Sequence, residues 1–353
     1  MSSVSYSLGR ARRLVQGIRT DRANPPLGDL RSISDPEAFV WAILPHAARS
    51  FAISILFLTE TQARAAAVAY LYARMLDTYE DLSPSYEASR ESLSDFADRF
   101  DSFPPAPAPR VPTPVAPSGP EQAHLLLIKR HQLVDSVFAQ LRPSDQASIV
   151  RMIQAMAASM QSFSVVFEKQ GGVLERRQQV LDYCRGVIGL PALFVMDMMT
   201  TDRSDDLQAE ALQVSELIQL ANITRDVEKD LKRGVAYHPS LRPFLGSGDT
   251  GPDIRAAVNA ARRELVILGS RRAPSYRRLM ERVDLPRFSS ARAAAVLMML
   301  FTWQSYRTFA HETDLKPPKR TWRILASSVL ASISPSWADH ALTKAEEGLL
   351  SIG

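Results

Sequence analysis

The sequence predicts a single all-α helical bundle, and three observations carry that expectation. Glycine accounts for only 15 of 353 residues, while Ala, Leu and Arg are abundant. Apolar residues recur at three-to-four spacing along almost the whole chain, which is the period of an amphipathic helix. Alternating β-branched runs, which would mark strands, are scarce.

Taken in order, residues 1–35 read as an N-terminal extension. Their start is polar and Arg-rich, without the apolar stretch of a secretory signal, and reads as an amphipathic surface helix in preference to a transit peptide. The periodicity then places helices at 36–48, 51–76 with extension to about 82, 86–101, 121–141, 144–169, 174–200, 206–233, 252–270, 274–283, 287–312 and 319–333. Breaks fall at Pro84, Pro143, Gly171-Gly172, Pro239, Pro243 and Pro286. Residues 103–120 hold eight prolines and must be an extended surface connector. The hundred residues before them would make a poorly cored domain alone, so the segment reads as a loop inserted within one helical domain, 36–335. A C-terminal tail, 336–353, follows. The longest apolar run, 293–303, falls short of the ~20 residues that span a bilayer and reads as a buried core helix. Residues 321–333 carry basic and apolar side chains that suit either a membrane surface or packing on the body.

Composition narrows the function. With 46% hydrophobic and 23% charged residues the chain can bury a substantial core. Forty-two basic against 38 acidic residues give a net charge of +4, too small an excess to call for nucleic acid. Anionic small molecules and an anionic membrane surface stay compatible. The single cysteine, Cys184, excludes an intramolecular disulfide and a Cys-rich zinc site and favours a reducing, cytoplasmic compartment. Its simplest role is that of a small buried hydrophobe.

Two stretches carry chemistry. In Tyr70 to Asp81, Asp77, Glu80 and Asp81 stand at i, i+3 and i+4 within an otherwise apolar segment, and so share one helix face. Carboxylates at this spacing repel, and burying them is costly unless a cation compensates. Arg74 and Tyr70 extend the stripe by one turn each. A solvated helix end before Ser83-Pro84 is the alternative. In Gln219 to Asp230, Gln219, Asn222, Asp226 and Asp230 fall at i, i+3, i+7 and i+11. An amide oxygen followed by carboxylates one turn apart is what a hard divalent cation such as Mg²⁺ takes, with water and phosphate completing its shell. Arg225, Lys229, Lys232 and Arg233 flank the stripe and suit phosphate. A merely charged exposed face accounts for the lysines but not for Gln219 and Asn222. Two such stripes across a bundle suit the ionisation of a diphosphate with an apolar tail.

Other acidic groups read as structural: Asp95, Asp98 and Asp101 as solvated, and Asp202, Asp205 and Asp206 as a loop and helix cap. Gly246 to Gly251 matches the dinucleotide fingerprint in letters, but no strand precedes it and Pro252 follows. The six histidines show no ligand spacing.

The ordered blocks from about residue 37 to 310 resemble the squalene/phytoene synthase family of head-to-head prenyl transferases. Arg49-Ser50-Phe51-Ala52 resembles its Ser-Arg-Ser-Phe-Ala block, with Ala48 in place of the first serine. Tyr70, Arg74 and the run Asp77-Thr78-Tyr79-Glu80-Asp81 resemble its first metal motif, in a form closer to squalene synthases, bacterial ones included, than to most phytoene synthases. Tyr183 to Gly189 resembles a third block, and Gln219 to Asp226 the second metal motif, continued by Lys232 to Pro239. One departure stands out: the family has Glu-Asp where this chain has Lys229-Asp230, with Glu228 one place early.

The resemblance implies an isoprenoid-synthase bundle with a central cavity. It implies Mg²⁺ on Asp77, Asp81, Asn222, Asp226 and Asp230, supported by Glu80. Diphosphate would be held by Arg49, Ser50, Arg74, Gln219, Arg225, Lys229, Arg233 and Tyr237. Tyr70, Tyr183 and Arg74 would steer the proton and cation chemistry. Two prenyl diphosphates, farnesyl favoured, would condense through a cyclopropylcarbinyl diphosphate to squalene or a related product, with NADPH required only for squalene. Three alternatives remain: a phytoene-type synthase using geranylgeranyl diphosphate, a cyclase or lyase acting on one prenyl diphosphate, and a non-enzyme helical partner. An apolar product makes peripheral membrane contact compatible; the sequence leaves the oligomeric state open.

Overall fold

The computed structural model describes residues 27–48, 50–111, 119–247, 251–283, 285–310 and 321–352. The helix expected near the N-terminus lies outside them. Among the described residues regular structure is helical, apart from an isolated bridge between Val173 and Ala236. The likeness to an all-α bundle is therefore direct. Contacts group the chain into two compact units, residues 1–164 and 165–353.

The first unit contains α1 (Pro36–Ala48), α2 (Ser50–Leu56), α3 (Glu60–Leu82), α4 (Tyr86–Asp98), α5 (Gly119–Lys129), α6 (His131–Phe138) and most of α7 (Pro143–Lys169). Helix α3 is central and packs on α1, α2, α4, α5 and α6. Ala65 to Ala69 supply small side chains that let neighbours approach it, and all are buried. The helix expected to run unbroken from 51 to 82 is interrupted at Phe57–Thr59. Thr59 is extended and caps α3 through Gln62, its hydroxyl donating to Gln62 Oε1 at 2.8 Å, a local pairing that competes with continued helix. The helix expected over 121–141 likewise divides at Arg130, whose guanidinium donates to the carbonyls of Leu30, Arg31 and Ile33 at 3.2, 2.6 and 2.5 Å.

The proline-rich segment is largely exposed over its described part, 103–111, yet it is tied to the core. Arg99 Nε donates to Ala106 O (2.7 Å), and Tyr79 Oη donates to Pro109 O (2.6 Å). Asp135 accepts from Arg99 (2.5 Å) and from Tyr72 (2.7 Å) behind them, so both carboxylate oxygens of this buried acid are satisfied. His131 Nε2 accepts from Ala108 N–H at 3.1 Å, which places the ring proton on Nδ1, 2.9 Å from Ile128 O.

The second unit contains the end of α7, α8 (Arg177–Cys184), a π-helical turn (Arg185–Gly189), α9 (Leu190–Met199) and α10 (Asp205–Lys232). A 3₁₀ turn (Pro239–Phe244), α11 (Pro252–Ser270), α12 (Ala273–Arg282), α13 (Ser290–Ala310), α14 (Thr321–Ile333) and α15 (Pro335–Leu350) complete it. Helix α10 is central and packs on α8, the π turn, α9, α11, α12 and α13. The run 293–303 is core as expected, with Ala293, Val296, Leu297 and Met299 buried, and so is Cys184. The expected tail is instead helix α15, which buries Ala338, Ala341, Leu342, Ala345 and Leu349 and packs on α12, α13 and α14. Ser334 caps it, accepting from Trp337 N–H, and Pro335 occupies the first turn, where its missing N–H costs nothing. Two stretches, 143–169 and 177–199, are long and apolar enough to cross a membrane, with a mean hydropathy of 1.2 in each; Met152, Ile153, Met156 and Met160 of the first are buried in the structure.

Burial lowers the pKa of His131 below its ordinary value, outweighing its hydrogen bond to Ile128 and the nearby Asp135 carboxylate. A base whose folded pKa is depressed loses stability as pH falls through its unfolded value, about 6.5. Unfolding midpoints in urea should therefore decline as pH drops below about 6.5, and His131→Gln should flatten that decline. A pH profile of the variant parallel to that of the parent would refute the assignment.

Candidate active site

Within the first unit, α3 carries a stripe that its own burial pattern isolates. From Ala65 to Tyr79 every residue is buried except Tyr70, Arg74 and Asp77. These three are half-buried, one turn apart and bonded in series: Arg74 donates to Tyr70 Oη at 2.9 Å and pairs with Asp77 at 3.0 Å. Glu80 is half-buried and Asp81 exposed where α3 emerges. Burial pushes the Asp77 carboxyl up to about 6; Arg74 opposes the rise and Asp81 adds to it. Burial works against the charge of Arg74, but Tyr70 and then Asp77 hold its guanidinium above its ordinary value. Arg74 Nε is buried without a hydrogen-bond partner among the described residues, a donor available to an anion. Helix α2, which Ser50 opens, sets the Phe51 ring 5.8 Å from that of Tyr70. Arg49 lies outside the described residues.

Within the second unit, Gln219, Asn222, Asp226 and Asp230 form the half-buried face of α10. Asn222 Nδ2 donates to Gln219 Oε1 at 3.1 Å, which leaves the Asn222 amide oxygen pointing its lone pairs elsewhere. Asp226 accepts two hydrogen bonds from Arg225, at 2.9 and 2.6 Å. Lys229 is exposed. Glu228, the acid displaced by one position, pairs with Arg262 of α11, and Arg262 also donates to Thr224 O at 2.8 Å. Glu228 thus holds α10 to α11 and does not join the stripe. Arg233 caps α10, its N–H bonded to Asp230 O.

The loop that follows is pinned by glycine. Gly172 has φ +88°, and a Cβ there would lie 2.2 Å from Gly234 O, so the two loops meet backbone to backbone. Ala236 N–H donates to Gly172 O (2.8 Å) and Leu174 N–H to Ala236 O (2.9 Å). This pairing sets Tyr237 against Tyr183 and Phe167, with ring centroids 5.3 and 5.9 Å away. Phe167 and Tyr183 stand 6.0 Å apart, edge to face. Tyr237 accordingly sits among rings, an environment suited to a cation's π contacts.

Oxygen donors recur at one-turn spacing in each stripe, carboxylates on α3 and amides with carboxylates on α10, and that donor set fits Mg²⁺. Among the described residues no three carboxylate, imidazole or thiolate side chains already converge as a finished metal cage. Mg²⁺ needs only one or two protein carboxylates where phosphate and water supply the rest, so the stripes suit it.

Four residues beyond the expected set hold this region. Glu216 of α10 is buried and accepts from Arg185 Nε of the π turn (2.7 Å) and from Arg272 Nε at the start of α12 (2.8 Å). Tyr306 of α13 anchors the same turn of α10, donating to Leu217 O at 2.8 Å. The signal for Glu216 was a lone acid among Val214, Ser215 and Leu217, in a run too apolar for a solvated face.

The squalene/phytoene synthase family model matches residues 44–301. A 4,4'-diapophytoene synthase of Staphylococcus haemolyticus (strain JCSC1435) is 34% identical over 70 residues, 20% of this chain and 25% of that protein. The chain thus matches a quarter of the length of this curated relative. A solved complex of TcSQS with the ligand BPH1237 has 19% identity and a TM-score of 0.68, over 89% of this chain and 91% of that one. A TcSQS complex with E5700 gives 18% and 0.66, over 90% and 99%. These likenesses show the fold.

Glu216→Ala would leave Arg185 and Arg272 without their shared acid. The loss of stability should fall at the lower end of about 3–5 kcal/mol, because Arg185 keeps solvent contact. Chemical denaturation checks this, and an unchanged midpoint would show that the arginines find other partners.

Proposed function

The chain belongs to the squalene/phytoene synthase family, and from that premise we propose that it joins two allylic prenyl diphosphates head to head. Farnesyl diphosphate is the substrate we favour, with a squalene-type product. The observation that carries the reading is the α3 stripe, where Tyr70, Arg74 and Asp77 alone break the burial of a central helix between Ala65 and Tyr79. A charged series in such a place is costly unless a ligand uses it.

In this reading Asp77, Asp81, Asn222, Asp226 and Asp230 hold Mg²⁺, with Glu80 supporting them. When bound, the ion supplies positive charge against the diphosphate oxygens. Arg74 offers its unpartnered Nε–H to the same oxygens, and Tyr70 fixes the guanidinium by accepting from it. Arg49, Ser50, Gln219, Arg225, Lys229 and Arg233 add further diphosphate contacts. The allylic C–O bond of the first substrate breaks, the electron pair leaves with diphosphate, and the cation is attacked by the double bond of the second. Loss of a proton closes the cyclopropane, giving the cyclopropylcarbinyl diphosphate. Departure of the second diphosphate then generates a cation that rearranges. The faces of Tyr183, Tyr237 and Phe167 stabilise positive charge without quenching it, as water would.

Two endings balance. Hydride from NADPH yields squalene, and loss of a proton yields a conjugated product without reductant. The short match to a diapophytoene synthase favours the second ending, while the Asp77-Thr78-Tyr79-Glu80-Asp81 run favours the first.

Purified protein should consume farnesyl diphosphate in Mg²⁺ and release a thirty-carbon product, squalene only if NADPH is present. Asp77→Ala with Asp81→Ala should lower turnover at least about a hundredfold with helicity unchanged. Consumption of geranylgeranyl diphosphate alone would move the assignment to a phytoene-type synthase, and a fifteen-carbon product to a cyclase or lyase. Near-parental turnover by a folded double variant would overturn the reading.

A further inference from the structure

Among the described residues eight large hydrophobic side chains are exposed, and six of them, Phe288, Trp322, Val329, Leu330, Ile333 and Trp337, fall between residues 288 and 337 of the second unit. Helix α14 is apolar on both sides. Ile324, Leu325, Ser328 and Ala331 are buried, and α13 and α15 are its packing partners. Trp322, Ala326, Val329, Leu330 and Ile333 recur at three-to-four spacing on the opposite side and are exposed.

Neighbouring elements extend this face. Trp337, at the start of α15, lays its indole on α14, with Nε1–H donating to Ser327 Oγ at 3.2 Å. Ser289 N–H donates to Ser332 O at 2.8 Å, which brings the exposed Phe288 to the far end of α14. An exposed apolar surface of this extent, rimmed by polar groups, marks an interaction site.

Charge identifies the occupant. Arg287 and Arg323 are exposed beside the patch and form no ion pair among the described residues, whereas Arg272, Arg277, Arg278 and Arg282 of the neighbouring α12 region are all paired with acids. Arg287 lies over the Phe288 ring at 5.9 Å. Were a second copy to sit here isologously, each patch would meet itself, and its arginines would face like charge. Anionic headgroups neutralise them instead. Tryptophans beside an apolar stripe, with cations alongside, are the arrangement that settles at a lipid interface.

We propose that Phe288, the exposed face of α14 and Trp337 form a docking surface for an anionic membrane, with Arg287 and Arg323 contacting headgroups. The protein attaches here peripherally, its apolar side chains in the boundary between headgroup and acyl chain.

Co-sedimentation of the full chain with phosphatidylcholine vesicles, alone and with added phosphatidylglycerol, tests this. Binding should be stronger to the anionic vesicles and weaken as salt is raised. Trp322→Ala with Ile333→Ala should weaken binding at least about tenfold at unchanged helicity. Arg323→Glu should reduce the preference for phosphatidylglycerol. Failure of the parent protein to bind either vesicle would overturn the proposal, as would equal binding by the apolar double variant. A dimer detected by light scattering, lost in that variant and unaccompanied by vesicle binding, would assign the face to a second copy and also overturn it.

Discussion

The cost of placing charge on a buried helix is the constraint that organises this protein. Acids on or against the two central helices, α3 and α10, lie in largely buried surroundings and divide into two kinds by how they are compensated. Asp135 and Glu216 have both carboxylate oxygens satisfied, the first by Arg99 and Tyr72, the second by Arg185 and Arg272. Such acids, buried and bonded to residues of other elements, hold those elements together, unlike Asp226, which is half-buried and takes two bonds from the adjacent, exposed Arg225. Asp77 has Arg74 alone as its ion-pair partner within its stripe, and its carboxyl is displaced upward to about 6, chiefly by burial. An acid only partly compensated, beside an arginine with an unpartnered Nε–H, is poised for a cation and an anion together.

Paired acids also set the geometry around the stripes. Glu216 joins α10 to the π turn and to α12, and Glu228 joins α10 to α11 through Arg262. A π turn inserts an extra residue into a helix, and here it lies directly after Tyr183 and Cys184. The glycine contact between the loops at 172 and 234 fixes the aromatic trio from the other side. The departure at Lys229 has a structural account in the same terms: the acid one place early serves packing against Arg262.

Helix periodicity made the fold class and most elements legible in the sequence. The stripes were legible because polar residues at i, i+3 and i+7 interrupt apolar segments, and the burial of α3 isolates Tyr70, Arg74 and Asp77. Breaks set by a single local bond were not legible: Thr59 closing on Gln62, and Arg130 binding three carbonyls near residue 31. Partners distant in sequence were hidden for the same reason, since nothing near Glu216 announces Arg272. Helix α15 could have been found, because Ser334-Pro335 opens it and Ala338, Ala341, Leu342, Ala345 and Leu349 keep helical spacing. The proline-rich segment was legible as exposed and extended, but its attachment to Tyr79 and Arg99 depends on three-dimensional proximity.

The proposed role of the carboxylate stripes on α3 and α10 is to hold divalent cations against diphosphate. Calorimetric titration of Mg²⁺ into the full-length protein, with and without inorganic pyrophosphate, addresses it without requiring turnover. Binding should be saturable, with each ligand strengthening the other, and abolished by Asp77→Asn and by Asp226→Asn while helicity is retained. Mutually independent binding, or coupling that survives in both variants, would contradict it.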